Sequence, residues 1–205
     1  MIKEKLGPPI FSWGLLFCFF LIAIPIPADG AGGITGTVRT RGVKNPGDVV
    51  VYVEKVEGQF QPSKAPVPID QIKRVYVPHV LAVLVGSELE FLNSDDNDLH
   101  NIHASQAGKK LFNFGIPPRQ KIRRILKQEG IVTLLCDVHP EMSAFVVVTQ
   151  NPFFAKPDEK GNYTIENVPP GTYTLKTWHE KLKPESREVK VSEGSKARFD
   201  FELRY

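Results

Sequence analysis

Cysteine is nearly absent from this sequence, and there is no strong excess of charge of either sign. The 205 residues include only two cysteines, Cys18 and Cys136, too few for a disulfide framework. The formal net charge of +3 is too small to indicate a nucleic-acid partner. Helical periodicity is scarce, whereas 17 prolines and 16 glycines separate short apolar runs. These features predict an all-β protein with many turns.

The N-terminal thirty residues have the layout of a secretory signal peptide. Lys3 and Lys5 form a basic start, an apolar stretch runs from Ile10 to Ile26, and small residues follow at 28–31. We therefore predict a signal peptide at 1–30 and a periplasmic or extracellular protein. The alternative is an uncleaved anchor, which would then be the protein's only membrane contact. The apolar stretch is short for a membrane span and ends in prolines, which favours the signal peptide.

Export would leave Cys136 as the only cysteine of the mature chain. A single cysteine cannot form an internal disulfide. A lone thiol in an oxidising compartment therefore needs another reason to be there, and metal ligation is one such reason.

The segment CDVHPEM carries a thiol, an imidazole and a thioether on Cys136, His139 and Met142. It starts where a predicted buried strand ends, at Leu135, and stops where the next strand begins, at Ala144. A tight loop between adjacent strands can direct all three side chains toward one point. Soft sulfur and imidazole donors suit copper rather than magnesium or calcium. One more imidazole would complete a set of two histidines and one cysteine with a weak axial methionine.

The missing imidazole must come from a distant segment, for which the candidates are His79, His100, His103 and His179. His100 is the best candidate, because it starts a short predicted strand directly after a polar loop. Asn101 follows it and can hydrogen-bond across to the CDVHPEM loop. Zinc is the main alternative to copper, but methionine is a poor zinc ligand and no general base is evident.

Other patterns receive a structural interpretation. The acidic residues Asp95, Asp96 and Asp98 lack the EF-hand pattern, so we interpret them as a solvated loop. His79 is interpreted as an edge or loop histidine. The aromatic and proline-containing segment from Phe112 to Pro118 is predicted to be irregular.

The segments FLNSDDNDLHNIH and GIVTLLCDVHPEM together resemble cupredoxins of the amicyanin and plastocyanin type, over residues 75–149. The resemblance implies a Greek-key β-sandwich with one mononuclear type 1 copper ion. It implies as ligands His100, Cys136, His139 and Met142, with Asn101 as a hydrogen-bonding partner of the ligand loop. It also implies that His139 is the ligand nearest the surface.

The C-terminal segments DEKGNYTIENVPPGTYTLKTWHE and ARFDFEL resemble the carboxypeptidase regulatory-like domain, a small prealbumin-like β-sandwich also called transthyretin-like. Such domains open with a strand like ITGTV, which occurs here far upstream at residue 34. We therefore predict that residues 31–60 and 152–205 form this domain and that a cupredoxin domain at 61–151 is inserted into it. In the alternative, residues 31–60 belong to the cupredoxin sheet.

These resemblances imply an exported copper protein that transfers one electron and is not an enzyme. The expected partner is another exported redox protein, such as a c-type cytochrome or a dehydrogenase. A nucleic-acid partner is not expected. One alternative is a non-redox copper-binding protein that docks to carbohydrate or protein. Another is an enzyme with two copper centres, which would need more than the five histidines present.

Overall fold

The computed structural model describes residues 30–43 and 45–205, which form two β-sandwiches. The predicted all-β fold class is confirmed, with a short 3-10 helix at Pro46–Asp48. Apart from Gly30, the predicted signal peptide lies outside the described residues. Among the described residues, no helix has the length and apolar character needed to cross a membrane.

The first of these units, here called the continuous sandwich, is formed by residues 67–149. Its strands are β3 (Val67–Ile72), β4 (Val75–Val77), β5 (Val80–Leu84), β6 (Glu88–Asn93), β7 (His100–Gln106), β8 (Lys109–Ile116), β9 (Lys121–Ile125), β10 (Gly130–Leu135) and β11 (Ser143–Thr149). One sheet has the order β5-β11-β10-β7-β8 and the other has the order β4-β3-β6-β9.

Alternation of apolar and polar residues produces the core between these two sheets. Strand β6 buries Leu89 and Phe91 completely, whereas Glu88 and Glu90 lie on its other face. The predicted alternation of this strand is therefore confirmed. Cys136 and Met142 belong to the same buried cluster, which places the end of the ligand loop against the core.

The second unit, here called the discontinuous sandwich, is built from two separate parts of the chain. Its strands are β1 (Gly32–Thr40), β2 (Val50–Val53), β12 (Phe154–Ala155), β13 (Asn162–Val168), β14 (Gly171–Trp178), β15 (Ser186–Val191), β16 (Lys196–Arg198) and β17 (Phe201–Leu203). One sheet has the order β12-β2-β14-β15, and in the other β1 pairs with β13, β16 and β17. Strand β2 thus pairs with strands from the C-terminal part of the chain.

Strand β11 is buried on both faces and joins the two sandwiches. Ala144, Val146 and Val148 point into the core of the continuous sandwich. The opposite face contributes to a separate apolar cluster between the sandwiches, formed by Val50, Tyr52, Val80, Ala82, Ile131, Phe145, Val147, Phe154 and Trp178. This two-sided burial explains why the strand is apolar and β-branched without alternation.

The prediction of an irregular segment from Phe112 to Pro118 was wrong. Strand β8 covers most of it and pairs antiparallel with β7. Phe112 and Phe114 both pack on Phe91, with ring centroids 6.0 Å apart in each case. The two prolines lie just beyond the last strand residue, so they end the strand and do not interrupt it.

Candidate metal centre

Three strand ends converge at one end of the continuous sandwich. Strand β7 starts at His100, beside the last residue of β8, Ile116. Strand β10 ends at Leu135 and is followed directly by Cys136. Because β7 and β10 are antiparallel neighbours, the start of one lies next to the end of the other. The fold thus brings together residues that are 36 positions apart in the chain.

The loop between β10 and β11 is closed by its own backbone. The amide of Met142 donates to the carbonyl oxygen of His139 at 3.0 Å, and the amide of Cys136 donates to the carbonyl oxygen of Met142 at 3.4 Å. These bonds fold the C-x-x-H-x-x-M segment back on itself, so its metal-binding side chains stay close together at one end of the sandwich.

His100, Cys136 and His139 form a compact group of ligand atoms. One ligand atom from each residue lies within 4.8 Å of the other two. The two Nδ1 atoms of His100 and His139 are 3.0 Å apart, and Nδ1 of His139 lies 3.8 Å from Sγ of Cys136. His100 and Cys136 are buried, and His139 is partly exposed. Two imidazoles and a thiol that converge at this distance fit a soft or borderline metal ion.

Met142, the fourth residue predicted as a ligand, is buried, with 1% of its surface exposed, in the same core cluster as Cys136. Its backbone makes the two hydrogen bonds, to His139 and to Cys136, that close the loop. The thioether therefore occupies the dry, core-facing side of the loop, and His139 occupies the side nearer to solvent.

Asn101 connects strand β7 to the ligand loop, as a hydrogen-bonding role requires. Its Oδ1 accepts from the amide of Asp137 at 2.6 Å, and its Nδ2 donates to Oδ2 of Asp137 at 3.0 Å. Nδ1 of His103 lies 2.8 Å from the other carboxylate oxygen, and Asn113 also donates to this group. These donors, His103 first, hold the pKa of Asp137 below its usual value. His103 thus belongs to the support of the loop and not to the ligand group.

Asp95 contacts a ligand residue, although the sequence did not predict it as part of the site. Its Oδ2 lies 2.8 Å from Nε2 of His100, and its side chain is only 13% exposed. The interpretation of the acidic residues as a solvated loop was therefore wrong for Asp95. A signal did exist, because a metal-binding histidine needs an acceptor for its second nitrogen and this carboxylate precedes it by five residues.

Ligand atoms of Asp95, Asp98 and His100 also lie within 4.8 Å of one another, but the carboxylates already have cationic or amide partners. The guanidinium of Arg74 donates to both oxygens of Asp98, at 3.1 and 3.2 Å. This ion pair lowers the pKa of Asp98 and engages both oxygens of its carboxylate.

Exposed apolar side chains surround the ligand residues at this end of the sandwich. They include Leu99, Leu135 and Val138, each next to a ligand in the sequence and 40–51% exposed. Val75 and Val77 on β4 are also exposed. Tyr76 between them lies 3.0 Å from the carbonyl oxygen of Leu135, so β4 borders the ligand loop. These five exposed apolar side chains, on β4 and next to the ligand residues in the sequence, are here called the apolar end.

A family model for the carboxypeptidase regulatory-like domain matches residues 130–204. The match starts in β10, so it includes two strands of the continuous sandwich together with the C-terminal strands of the discontinuous one. No curated protein matches the sequence.

Solved structures of cupredoxins are similar to the chain. A purple cupredoxin from Nitrosopumilus maritimus is 24% identical with a TM-score of 0.37, covering 40% of this chain and 99% of that one. An oxidized mutant of amicyanin is 24% identical with a TM-score of 0.38, covering 42% and 84%. A copper-containing nitrite reductase from Thermus scotoductus SA-01 is 19% identical with a TM-score of 0.40, covering 56% of this chain and 28% of that one. Parts of the chain are thus similar to two families of β-sandwich: residues 130–204 match the carboxypeptidase regulatory-like domain, and the chain is also similar to solved cupredoxins.

Proposed function

We propose that the protein is an exported one-electron carrier with a single mononuclear type 1 copper ion, and not an enzyme. The observation that carries the proposal is the convergence of one ligand atom each from His100, Cys136 and His139 within 4.8 Å. Met142, buried beside Cys136, would supply a weak axial thioether. Copper held by such a donor set supplies reversible one-electron chemistry.

The surroundings of the ligands suit electron transfer better than substrate turnover. His100, Cys136 and Met142 are buried, so they keep water away from the inner side of the site. The loop hydrogen bonds and Asn101 hold the donor atoms in one arrangement, which limits the movement that accompanies a change of oxidation state. His139 provides the contact with the surface.

The apolar end would be the docking surface for an exported redox partner, such as a c-type cytochrome or a dehydrogenase. It includes Val138, which is next to His139 in the sequence, and His139 is the one partly exposed member of the His–Cys–His group, so it would pass the electron to a docked protein. An apolar contact excludes water without requiring a long-lived complex, which suits a carrier that must release its partner quickly.

We also propose that the continuous sandwich is an insertion in a carboxypeptidase regulatory-like domain. The pairing of β2 with β12 and β14, and of β1 with β13, supports this organisation. The two ends of the continuous sandwich would then be joined to neighbouring strands of one host domain. Domains tolerate an insertion best where its two ends lie close together.

The test is reconstitution of the purified protein with Cu(II). We expect one copper per chain and an intense visible thiolate-to-copper absorption that a mild reductant bleaches and an oxidant restores. The variant Cys136→Ser should fold but lack this absorption. A protein that keeps copper without colour would support the non-redox alternative, and a Cys136→Ser variant with an unchanged spectrum would exclude the proposed site.

A further inference from the structure

The carboxylate of Asp95 contacts one ring nitrogen of His100, and the other ring nitrogen faces His139. It lies between β6 and β7, and its Oδ2 is 2.8 Å from Nε2 of His100. The imidazole of His100 is fully buried and the Asp95 side chain is 13% exposed, so water has little access to this contact. A carboxylate oxygen can only accept, so Nε2 of His100 is the donor.

Two backbone amides hold Asp95 in place. The amide of Lys73 donates to Oδ1 at 2.6 Å, and the amide of Arg74 donates to Oδ2 at 3.2 Å. Both residues form the β3–β4 turn and have positive φ, 51° and 59°. Such a turn is unfavourable for residues other than glycine, asparagine and aspartate, and here it points two N–H groups at one carboxylate.

In total, the two carboxylate oxygens of Asp95 accept hydrogen bonds from three donors. An ionised carboxylate can accept all three, whereas a carboxamide cannot. With asparagine at position 95, the NH₂ group would face either the amide of Lys73 or the donors on the other side, Arg74 and His100. The first orientation would create one donor–donor contact and the second would create two. The geometry therefore requires the acid itself at this position.

The contact has a direct consequence for the metal-facing side of the ring. A proton on Nε2 leaves the lone pair of the neutral imidazole on Nδ1, the atom that faces His139 and Cys136. A carboxylate partner also makes the imidazole a stronger electron donor, which favours the higher oxidation state of a bound metal.

We propose that Asp95 is a positioning residue that fixes the tautomer and orientation of His100 and lowers the reduction potential of the copper site. This inference rests on the proposed function. Asp98 does not share the role, because its two oxygens are bound by Arg74.

The test compares Asp95→Asn with Asp96→Asn in the copper-loaded protein. The Asp96→Asn substitution removes the same charge one residue away. The Asp96 side chain is 64% exposed and pairs with Arg119, so it serves as the control. We expect Asp95→Asn to raise the reduction potential above both the wild type and Asp96→Asn, and to weaken copper affinity about 10- to 100-fold. Asp95→Glu, which keeps the carboxylate, should recover part of the shift.

A second measurement does not depend on the folding of the variant. In the metal-free wild type, ¹⁵N nuclear magnetic resonance of the neutral imidazole should show His100 protonated on Nε2, with slow proton exchange. Equal potentials for Asp95→Asn and Asp96→Asn, or protonation of His100 on Nδ1, would overturn the inference. A wild type that takes up no redox-active copper would instead contradict the proposed function.

Discussion

The imidazole of His79 links the ligand loop to the other sandwich through Glu180. Its Nε2 lies 3.2 Å from Oε1 of Glu180, and its Nδ1 lies 2.9 Å from the carbonyl oxygen of Ser143, the residue that follows Met142. The ring also packs edge-on against Phe145, with centroids 5.6 Å apart. The discontinuous sandwich is thus in indirect contact with the end of the ligand loop.

We expect Glu180→Gln to cost little stability. The two side chains are 33% and 20% exposed, and such partly solvated ion pairs contribute at most about 1 kcal/mol to the free energy of unfolding. Chemical denaturation should therefore give a midpoint close to that of the wild type and of the control Glu159→Gln, an exposed glutamate with no ion pair in the described structure. A large loss for Glu180→Gln alone would mean that the polar link, and not the apolar cluster, holds the sandwiches together.

Trp178→Ala should have a larger effect at the same interface. Trp178 packs against Phe145, with ring centroids 5.3 Å apart, in the cluster between the sandwiches. Because it is only partly buried, we expect a loss near or below the lower end of the ~3–5 kcal/mol typical of buried aromatic residues. Calorimetry should also show the two sandwiches unfolding less cooperatively. An unchanged single transition at the wild-type temperature would exclude this coupling.

Asp200 should make the discontinuous sandwich sensitive to acid. Its carboxylate accepts from both the amide and the hydroxyl of Thr37, at 2.7 and 2.9 Å, and from Arg198. These bonds keep the pKa of Asp200 below its usual value, and the bond from the Thr37 hydroxyl has the largest effect. A carboxyl group with a lower pKa in the folded state stabilises the fold above its unfolded pKa, and this contribution is lost as the pH falls through the folded pKa.

Thermal unfolding between pH 7 and pH 3 tests this expectation. The wild type should lose more stability than Asp200→Asn over this range, and Glu193→Gln should behave like the wild type because that side chain is exposed at a turn. Parallel curves for the wild type and Asp200→Asn would show that the Thr37 contacts do not favour the ionised form.

The ligand loop could be predicted from the sequence because its three donors lie within seven residues between two strongly β-branched strands. For Asp95 the sequence offers only its position five residues before His100, since its role depends on the approach of a distant turn, at Lys73 and Arg74, and on the direction of the His100 ring. The sequence alone shows only an acidic residue in a polar loop.

Strand β11 illustrates a similar limit for the fold. The run of valines predicts a buried strand, but it does not reveal which surface covers each face. That surface is supplied by Val50 and Trp178, which are about 30 to 100 residues away in the chain. Strand β8 was missed because its pattern includes exposed residues, such as Leu111, that obscure the alternation of Phe112 and Phe114.

Asn101→Ala should loosen the ligand loop and weaken metal retention. The substitution removes the acceptor of the Asp137 amide and two donated hydrogen bonds at a residue that is 8% exposed. We expect a loss of about 1–3 kcal/mol in the unfolding of the metal-free protein. The copper dissociation rate should also rise. Asn113→Ala, which removes a more exposed donor to Asp137, is the matched control and should have the smaller effect.

Met142→Leu should change the reduction potential while leaving the fold intact. The two side chains have similar volumes, so the buried site should lose less than about 1.5 kcal/mol of stability. Cys136, His100 and His139 remain, and the thiolate-to-copper absorption should therefore persist. Loss of the thioether removes a weak donor that favours Cu(II), so we expect a higher potential by voltammetry. Leu89→Met, in the same core but in β6, is the control and should leave the potential unchanged. If the potential of Met142→Leu equals that of the wild type, Met142 is part of the packing and not a ligand.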